Sequence, residues 1–411
     1  MNLKTRLRRH SLRFYASLAR NRTGSGALIV PTTGPGSLGE EAMIVALAGE
    51  LARRGAGPIS LMTRPDPGLR WPPTAGIDRL RTVSEPGGRA WRAYVDMLAE
   101  YERVFVIGAD CLDGTYSVRT SLILIDTADL AARCGRETTI VGSSYKPDPD
   151  PQTVRALGQL SRRVRLCARD ELSFERMRVT GAAPRLVADV AFLLEPDERA
   201  SEVAAALRWG SAVRGAGGRV LGVNVNHQVL KSGDRQGLAA MMDGYSQAIE
   251  RLLVDDSGLH VLFLPHDYRT EISDLALART LRDRLAAKWG DRLRLDETPR
   301  SAAETKALAG AVDVVLTGRM HLAIAAMGLG IPPACVTYQG KFEGLFRHFG
   351  ITSATLDPGE ARDPERLAQL CRDCLDERAE RAAAIAAALP AVRARSLENL
   401  PESLRSGVAT A

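Results

Sequence analysis

The stretch VDVVLTGRMHLAIAAMGLGIPPACVTYQGK, residues 312–341, predicts the fold and contains the densest group of candidate site residues. Its valine-rich beginning, Val312 to Leu316, is typical of a buried strand. The apolar segment His321 to Met327 predicts a helix, which the glycines and proline after it end. A second strand is predicted from Ala334 to Tyr338. Strand, helix and strand at these lengths indicate a doubly wound, parallel α/β sheet.

Three cationic or titratable side chains fall at the turns of this unit. Arg319 and His321 lie between the end of the first strand and the start of the helix, and Lys341 follows the second strand. Ligands of parallel sheets bind outside the C-terminal ends of the strands, and a helix N-terminus attracts anions. A single Arg, His or Lys in a loop is more often solvated or structural. The three together predict a pocket for a small, multiply charged anion.

The same stretch resembles the C-terminal signature of the polysaccharide pyruvyl transferase family. That signature has Arg-Leu-His, Gly-Ile/Val-Pro and Tyr-x-x-Lys, and the matching segments here are residues 317–321 (TGRMH), 330–332 (GIP) and 338–341 (YQGK), with Met320 in place of leucine. The resemblance implies phosphoenolpyruvate as donor substrate, no cofactor, and a pair of sugar hydroxyls on a glycan, polysaccharide or glycolipid as acceptor. It also implies two doubly wound Rossmann-like domains, similar to the GT-B glycosyltransferases, with an interdomain cleft.

The length of 411 residues is large for one hydrophobic core, so two domains are expected. We predict a basic amphipathic arm over residues 1–22, an acceptor-side domain over 23–200, a donor-side domain over 215–390 and a C-terminal tail over 391–411. The polar, then glycine-rich stretch 195–218 is the predicted boundary. By analogy with GT-B folds, the helical segment from Pro364 onward is expected to return to the first domain.

The positive charge of the chain is concentrated in the arm. Residues 1–22 contain seven Lys and Arg residues and no acid, against a formal net charge of +6, so the rest of the chain carries −1. This distribution argues against a nucleic-acid face on the folded domains. Leu3, Leu7, Phe14 and Leu18 share one side of a helix, which predicts peripheral contact with an anionic membrane; a solvated arm is the alternative. In either case, deletion of residues 1–20 is expected to leave folding intact.

Hydropathy and cysteine usage predict a cytoplasmic protein without a membrane span. The longest apolar run, Ala382 to Val392, is short and contains a proline. The six cysteines are scattered and resemble reduced, buried thiols. Cys371 and Cys374 form a lone CxxC with no second pair or nearby histidine, so neither a zinc site nor a redox motif is predicted.

The N-terminal half begins with a strand, Ala27 to Val30, a loop and a helix, Glu40 to Arg54. The loop contains GPGSLG, residues 34–39, which has the GxGxxG spacing of a dinucleotide-binding turn. Pro35 removes an N–H from this turn, and Arg64 follows the next strand where a ribose-binding acid is expected. The segment Gly36 to Ala42 resembles the family's Gly-Asn-x-Gly-Asp-Glu-Ala, with differences at Ser37 and Glu40.

Further candidate side chains follow other predicted strands. Asp110 and Asp113, three residues apart, could accept a proton from a sugar hydroxyl or simply form a turn. Arg169 begins a segment that resembles the family's Arg-Asp-x-x-Ser and is a candidate second anion-binding arginine. His266 resembles the family's Pro-His and is a candidate substrate-binding residue. Asp189 lies in a segment similar to Asp-Pro-Ala, and its role is structural or functional.

The remaining chain alternates between strands and helices, with a long surface connection over residues 64–90. The further predicted strands are Ile59 to Thr63, Val104 to Ile107, Thr138 to Val141, Val164 to Ala168, Arg219 to Val225, His260 to Leu264 and Leu293 to Leu295. The further predicted helices are Leu238 to Val254, Ile272 to Trp289 and Ala302 to Ala309.

The expected activity is transfer of the enolpyruvyl carbons of phosphoenolpyruvate to two hydroxyls, which forms a pyruvate ketal. Arg319 and Arg169 would hold carboxylate and phosphate, Lys341 would assist with phosphate, and His321 would donate a proton. No metal is predicted. Two other classes stay open: a nucleotide-sugar glycosyltransferase of GT-B type and a non-catalytic, membrane-associated scaffold.

Overall fold

The computed structural model describes residues 3–63, 71, 76–83, 90–230, 234–269, 271–337, 341–351 and 354–405, with the side chains of 3–10 and 341 outside the description. The strands are β1 (Ala27–Val30), β2 (Ile59–Thr63), β3 (Arg79–Thr82), β4 (Arg103–Ala109), β5 (Glu137–Ser143), β6 (Val164–Ala168), β7 (Pro184–Leu186), β8 (Arg219–Val223), β9 (Leu259–Phe263), β10 (Leu293–Leu295), β11 (Val314–Thr317), β12 (Pro333–Val336) and β13 (Thr355–Leu356).

The helices alternate with these strands. They are α1 (Leu3–Leu18), α2 (Leu38–Arg53), α3 (Ala90–Leu98), α4 (Val118–Arg133), α5 (Pro151–Gly158), α6 (Glu171–Arg178), α7 (Ser201–Gly215), α8 (Arg235–Asp255), α9 (Asp274–Trp289), α10 (Ala302–Ala309), α11 (Met320–Met327), α12 (Lys341–Phe349), α13 (Pro364–Asp376), α14 (Arg378–Leu397) and α15 (Glu402–Arg405).

The strands form two parallel sheets in two compact units. Unit 1 lies within Met1–Gly34, Met43–Leu193 and Arg393–Ala411, and unit 2 within Pro35–Ala42 and Leu194–Val392. The sheet of unit 1 has the order β3-β2-β1-β4-β5-β6-β7, and that of unit 2 has the order β10-β9-β8-β11-β12-β13. In each sheet the chain builds outward first on one side of the starting strand and then on the other. The switch lies between β1 and β4 in unit 1 and between β8 and β11 in unit 2. Ligands of doubly wound sheets bind at this switch point.

The central strands are apolar because helices cover both faces of a parallel sheet. Every residue of β1 and of β11 is buried. In unit 2 one hydrophobic core includes residues of α8, α9 and α13, and another includes residues of α7, α10 and α11. The predicted class of two Rossmann-like domains is confirmed. None of the helices in the described chain is both long and apolar enough to cross a membrane.

Residues 312–341 contain the predicted strand, helix and strand. β11, α11 and β12 lie within two residues of the predicted bounds, and five other predicted elements match the structure residue for residue: β1, β2, β6, β10 and α10. These segments combine apolar runs with clear end signals. For α10, Ser301 and Glu304 form the reciprocal capping box that fixes the start of the helix.

Some stretches have structure that the sequence did not predict. β3 lies within residues 64–90, which were predicted as a surface connection. In the segment 186–190, which resembles Asp-Pro-Ala, Asp189 accepts a hydrogen bond from the Ala191 backbone N–H at 2.9 Å, and a 3₁₀ turn follows. The stretch 195–218, predicted as the domain boundary, contains α7. Its Gly210 allows close approach to the Ala311 carbonyl, since an added Cβ would lie 2.3 Å from that oxygen. Gly210 is therefore a packing residue of α7.

The basic arm is helical and packs onto unit 1. α1 lies against α3 and α4, and Ala16 and Ala19 belong to the unit 1 core. The Arg13 Nε donates to the Asp129 carboxylate at 2.8 Å, and the Tyr15 hydroxyl donates to Asp96 at 3.0 Å. Contrary to the prediction from the sequence, we therefore expect deletion of residues 1–20 to destabilise unit 1, because it would uncover part of this core.

Candidate functional site

The switch point of the unit 2 sheet is built by side chains after β8 and β11. The Thr317 hydroxyl donates to the Asn224 side-chain oxygen at 2.9 Å, and the Asn226 Nδ2 donates to the Gly318 carbonyl at 3.0 Å. The Arg319 backbone N–H donates to the Thr317 hydroxyl at 2.9 Å. These bonds hold the turn that leads into α11, so Arg319 takes the N-cap position and His321 the second position of the helix.

Arg319 is bound by carboxylates of its own unit. Its Nε and Nη2 donate to Asp274 at 3.1 and 2.6 Å, and its Nη1 lies 3.1 Å from Asp267 and 2.8 Å from the Gln228 oxygen. Burial alone would lower the pKa of Arg319, but Asp274 and Asp267 outweigh burial and raise it. The guanidinium of Arg319 thus makes with Asp274 the bidentate contact that was expected with a donor anion. We therefore assign Arg319 to positioning the start of α11.

His321 lies against the N-terminus of α2. A Cβ added to Gly39 would lie 2.5 Å from the His321 Nδ1 and 2.9 Å from its Cγ, so only a glycine permits this approach without displacing the ring. The imidazole is therefore flanked by the first turns of α2 and α11. Both helix N-termini carry partial positive charge and favour an anion. This pairing was not predicted, although the GPGSLG loop that supplies Gly39 was noted.

The GPGSLG loop is held by the segment after β9. Ser37 and Asp267 form an antiparallel bridge, the Leu38 N–H donates to the His266 carbonyl at 3.4 Å, and the Tyr268 N–H donates to the Gly36 carbonyl at 3.0 Å. In a dinucleotide fold, the backbone N–H groups of this turn bind pyrophosphate. Here the Leu38 N–H has a protein partner, so the loop lacks one donor of a dinucleotide fingerprint.

His266 is buried beside this network. Burial, together with the positive charges of His321 and Arg319, lowers the pKa of His266 to about 3. Its imidazole is neutral near neutral pH, so it cannot attract an anion by charge. If His266 binds substrate as predicted, it does so through a hydrogen bond from its neutral ring. The His266 backbone N–H donates to the Asp274 carboxylate at 3.2 Å, and the same carboxylate binds Arg319.

Glu41, in the first turn of α2, is a buried acid that the sequence analysis did not single out. Its Oε1 accepts a hydrogen bond from the Ala302 backbone N–H, at the start of α10, at 2.7 Å. Burial raises the pKa of Glu41 to about 7. In sequence, an acid in the first turn of a helix looks like ordinary compensation of the helix dipole, which hides this contact.

A second polar cluster lies at the C-terminal edge of the unit 1 sheet. Arg169 is buried after β6, with its Nη1 2.8 Å from the Asp189 carboxylate and its Nε donating to the Ser144 hydroxyl at 2.8 Å. Burial lowers the pKa of Arg169, but Asp189 and Asp110 outweigh burial and raise it. Like Arg319, Arg169 is paired with a protein carboxylate, so the predicted donor-binding role would require it to share or leave Asp189.

Asp110 is presented by a strained backbone. Ala109, at the end of β4, has a φ of 46°, and it is the one residue other than glycine with positive φ among the described residues. Such strain is concentrated at functional positions. Asp110 is partly exposed and accepts a hydrogen bond from the Tyr116 hydroxyl at 2.8 Å. This geometry is compatible with the predicted proton acceptor.

Asp113 has a different environment from Asp110. It is buried, and its two carboxylate oxygens accept the backbone N–H groups of Thr115 at 2.9 Å and Lys146 at 3.0 Å. These bonds join the loop after β4 to the loop after β5. These contacts fit the turn-forming alternative, and a catalytic role of Asp113 stays a prediction.

Lys341 begins α12, and its side chain lies outside the described atoms, so its predicted phosphate contact stays a prediction. Within the described part of the chain, no three His, Cys, Asp or Glu side chains are grouped as metal ligands. All six cysteines are free thiols, and five of them are buried.

The comparisons with known proteins agree with this architecture. The profile of the family described as polysaccharide pyruvyl transferase matches residues 39–340. No curated protein is significantly similar to the chain in sequence.

Solved structures with related folds act on or bind nucleotide sugars. A Listeria monocytogenes protein described as a UDP-N-acetylglucosamine 2-epimerase has a TM-score of 0.58 at 12% identity, covering 92% of this chain and 94% of its own. The UDP-GlcNAc 2-epimerase of Neisseria meningitidis, bound to UDP-GlcNAc, has a TM-score of 0.53 at 10% identity, and the match covers 92% of this chain and 99% of that protein. HepE of Anabaena, in complex with UDP and glucose, has a TM-score of 0.51 at 13% identity, and the match covers 92% of this chain and 95% of that protein. At these identities the likeness concerns the fold alone.

Proposed function

The chain belongs to the polysaccharide pyruvyl transferase family, and from this we propose that it transfers the enolpyruvyl group of phosphoenolpyruvate to two hydroxyls of a glycan sugar. One observation carries the proposal beyond family membership. Gly39 and His321 lie near opposite ends of the matched range 39–340, and the fold of unit 2 brings them into contact. Two helix N-termini and a titratable imidazole at one point suit a phosphorylated carboxylic acid.

The proposed chemistry assigns the proton to His321. It donates to the methylene carbon of the donor, which becomes a methyl group, and this leaves positive charge at the central carbon. A sugar hydroxyl attacks this carbon and loses its proton to a general base. The bond to phosphate then breaks, and a second hydroxyl attacks the same carbon, passes its proton to the departing phosphate and closes the ketal. Phosphate is the other product, and the reaction needs no redox partner.

The proposed donor-binding groups differ in part from the sequence expectation. The phosphate is assigned to the first turns of α2 and α11, with Lys341 as a further cation. Arg319 acts through Asp274 and Asp267 by fixing the turn before His321. Arg169 keeps its proposed role in anion binding, which requires it to share or leave Asp189. A cytoplasmic location is part of the proposal, because free, mostly buried thiols are typical of a reducing compartment.

Donor binding and phosphate release test this function. We expect phosphoenolpyruvate to raise the melting temperature of the wild-type protein, by mass action, whereas UDP, GDP and NADP do not. Phosphate should be released only when a glycan acceptor is added. Stabilisation by UDP, with nucleoside diphosphate released from a nucleotide sugar, would instead support the glycosyltransferase alternative.

Two variants separate the roles of His321 and Arg319. His321→Asn keeps a similar volume and removes the titratable proton, so phosphate release should slow by roughly 10² to 10⁴-fold with little change in donor affinity. Arg319→Lys loses the bidentate bond to Asp274, so it should lower both the melting temperature and the rate. Calorimetric titration with phosphoenolpyruvate and a coupled phosphate assay measure these effects. Near-normal turnover of His321→Asn would remove His321 from the mechanism.

A further inference from the structure

α1 has two apolar faces on opposite sides of one helix. The inner face is directed at the core of unit 1 and includes Leu12 and Ala16. The outer face includes Phe14 and Leu18, one turn apart, with exposed fractions of 68% and 66%. At 100° per residue these two pairs lie on opposite sides of the helix axis. A helix that only covers a core needs one apolar stripe, so the outer stripe requires another explanation.

The outer stripe continues along the length of α1. Leu7 and Leu3 stand seven and eleven residues before Phe14, which is close to two and three helical turns, so the register of the helix places both positions on the outer face. The core contacts of Leu12 and Ala16 attach α1 to unit 1, so Phe14 and Leu18 are directed away from the core of that unit.

Cations stand on both sides of this stripe. By the same register, Lys4 and Arg8 fall on one flank, and Arg6 and Arg13 fall on the other. Arg13 is paired with Asp129, and farther along the chain Arg22 is paired with Asp96. The remaining cations of residues 1–22 have no acid among those residues to balance them, and the rest of the chain is close to neutral.

We propose that the outer face of α1 binds the surface of an anionic phospholipid bilayer. Phe14 and Leu18 enter the boundary between head groups and acyl chains, and the flanking cations lie at the level of the phosphates, as in interfacial amphipathic helices. Charge favours this occupant over a second copy of the chain, because two copies would bring two strongly basic helices together. A nucleic acid would leave the apolar stripe exposed to water. The inference is independent of the proposed chemistry.

Vesicle flotation of the full chain tests the proposal. Wild-type protein is expected to float with vesicles of equimolar phosphatidylcholine and phosphatidylglycerol, to stay unbound with phosphatidylcholine alone, and to dissociate as salt is raised. The double variant Phe14→Ser/Leu18→Ser should bind at least about tenfold more weakly, because it removes two large apolar side chains from the contact. Val179→Ser, at a residue 82% exposed after α6, is the matched control and should bind like wild type.

Three results would overturn the proposal. These are absence of wild-type binding to the anionic vesicles, equal binding by the double variant, and a wild-type dimer that the double variant dissociates while neither protein binds vesicles. Light scattering after gel filtration detects the last case. If the double variant has a lowered melting temperature, Lys4→Glu/Arg8→Glu replaces it. This variant changes only charge on one flank, and unaltered vesicle binding by it would equally overturn the proposal.

Discussion

At the scale of single residues, the candidate site depends on the absence of a side chain at Gly39. Its hydrogen stands where a methyl group would lie 2.5 Å from the His321 Nδ1, below any ordinary contact distance. Gly39 has helical neighbours and no positive φ, so alanine there is allowed by the backbone. The glycine is required by the imidazole rather than by the turn.

We therefore predict that Gly39→Ala displaces His321 and slows phosphate release by at least about tenfold, in the direction of His321→Asn. Gly49→Ala, on the same helix, is the control. An added Cβ there has its nearest neighbour at 3.6 Å, the flexible end of Arg53. Both variants should remain folded by circular dichroism. If Gly39→Ala turns over at the rate of Gly49→Ala, the contact between Gly39 and the ring has no role in catalysis.

At the scale of elements, the C-terminal segment is tied to the candidate site of unit 1. The buried Asn399 side chain accepts the Gly142 N–H at 2.7 Å and donates to the Ala188 carbonyl at 2.9 Å. The Ser396 hydroxyl donates to the Asp189 carbonyl at 2.8 Å. One helix end thus fixes the loop after β7, which carries the acid paired with Arg169.

Replacing Asn399 by alanine should leave the Gly142 N–H and the Ala188 carbonyl without these partners. Each buried, unsatisfied group costs about 1–3 kcal/mol, so Asn399→Ala should lower the free energy of unfolding of unit 1 by a few kcal/mol. Asn21→Ala, at an exposed position of the same unit, should change it little. Denaturant unfolding followed by tryptophan fluorescence measures both. Equal stability of the two variants would show that water replaces the Asn399 contacts.

The elements also show what sequence can predict. β1, β6 and α10 follow from apolar runs and capping residues that act locally. β3 escaped prediction because it is an exposed edge strand of charged residues, and α7 because Gly210 contacts Ala311, about a hundred residues away. At the site, Arg319 and His321 were found from the strand and helix around them. Their partners Asp274 and Gly39 belong to other segments, and only the folded chain brings them together.

At the scale of the whole molecule, two buried groups of unit 2 make its stability depend on pH in opposite senses. His266 has a pKa lowered from 6.5 to about 3, so between these values the unfolded chain binds more protons than the folded unit. The His266 contribution to stability therefore rises as pH rises from about 3 to about 6.5. Glu41 has a pKa raised from 4.5 to about 7, so the folded unit binds more protons than the unfolded chain between these values. Stability therefore falls as pH rises from about 4.5 through about 7.

Glu41→Gln isolates the second effect. The amide oxygen can still accept the Ala302 N–H, but no charge is buried when pH rises. We predict that the variant and wild type have similar melting temperatures near pH 5, and that the variant is more stable near pH 8 by up to about 3 kcal/mol. Scanning calorimetry across this range, with the exposed Glu271→Gln as control, measures the difference. Parallel curves for wild type and Glu41→Gln would mean that the Glu41 carboxylate is ionised in the folded unit throughout this pH range, and that its contact with α10 is an ordinary charged cap.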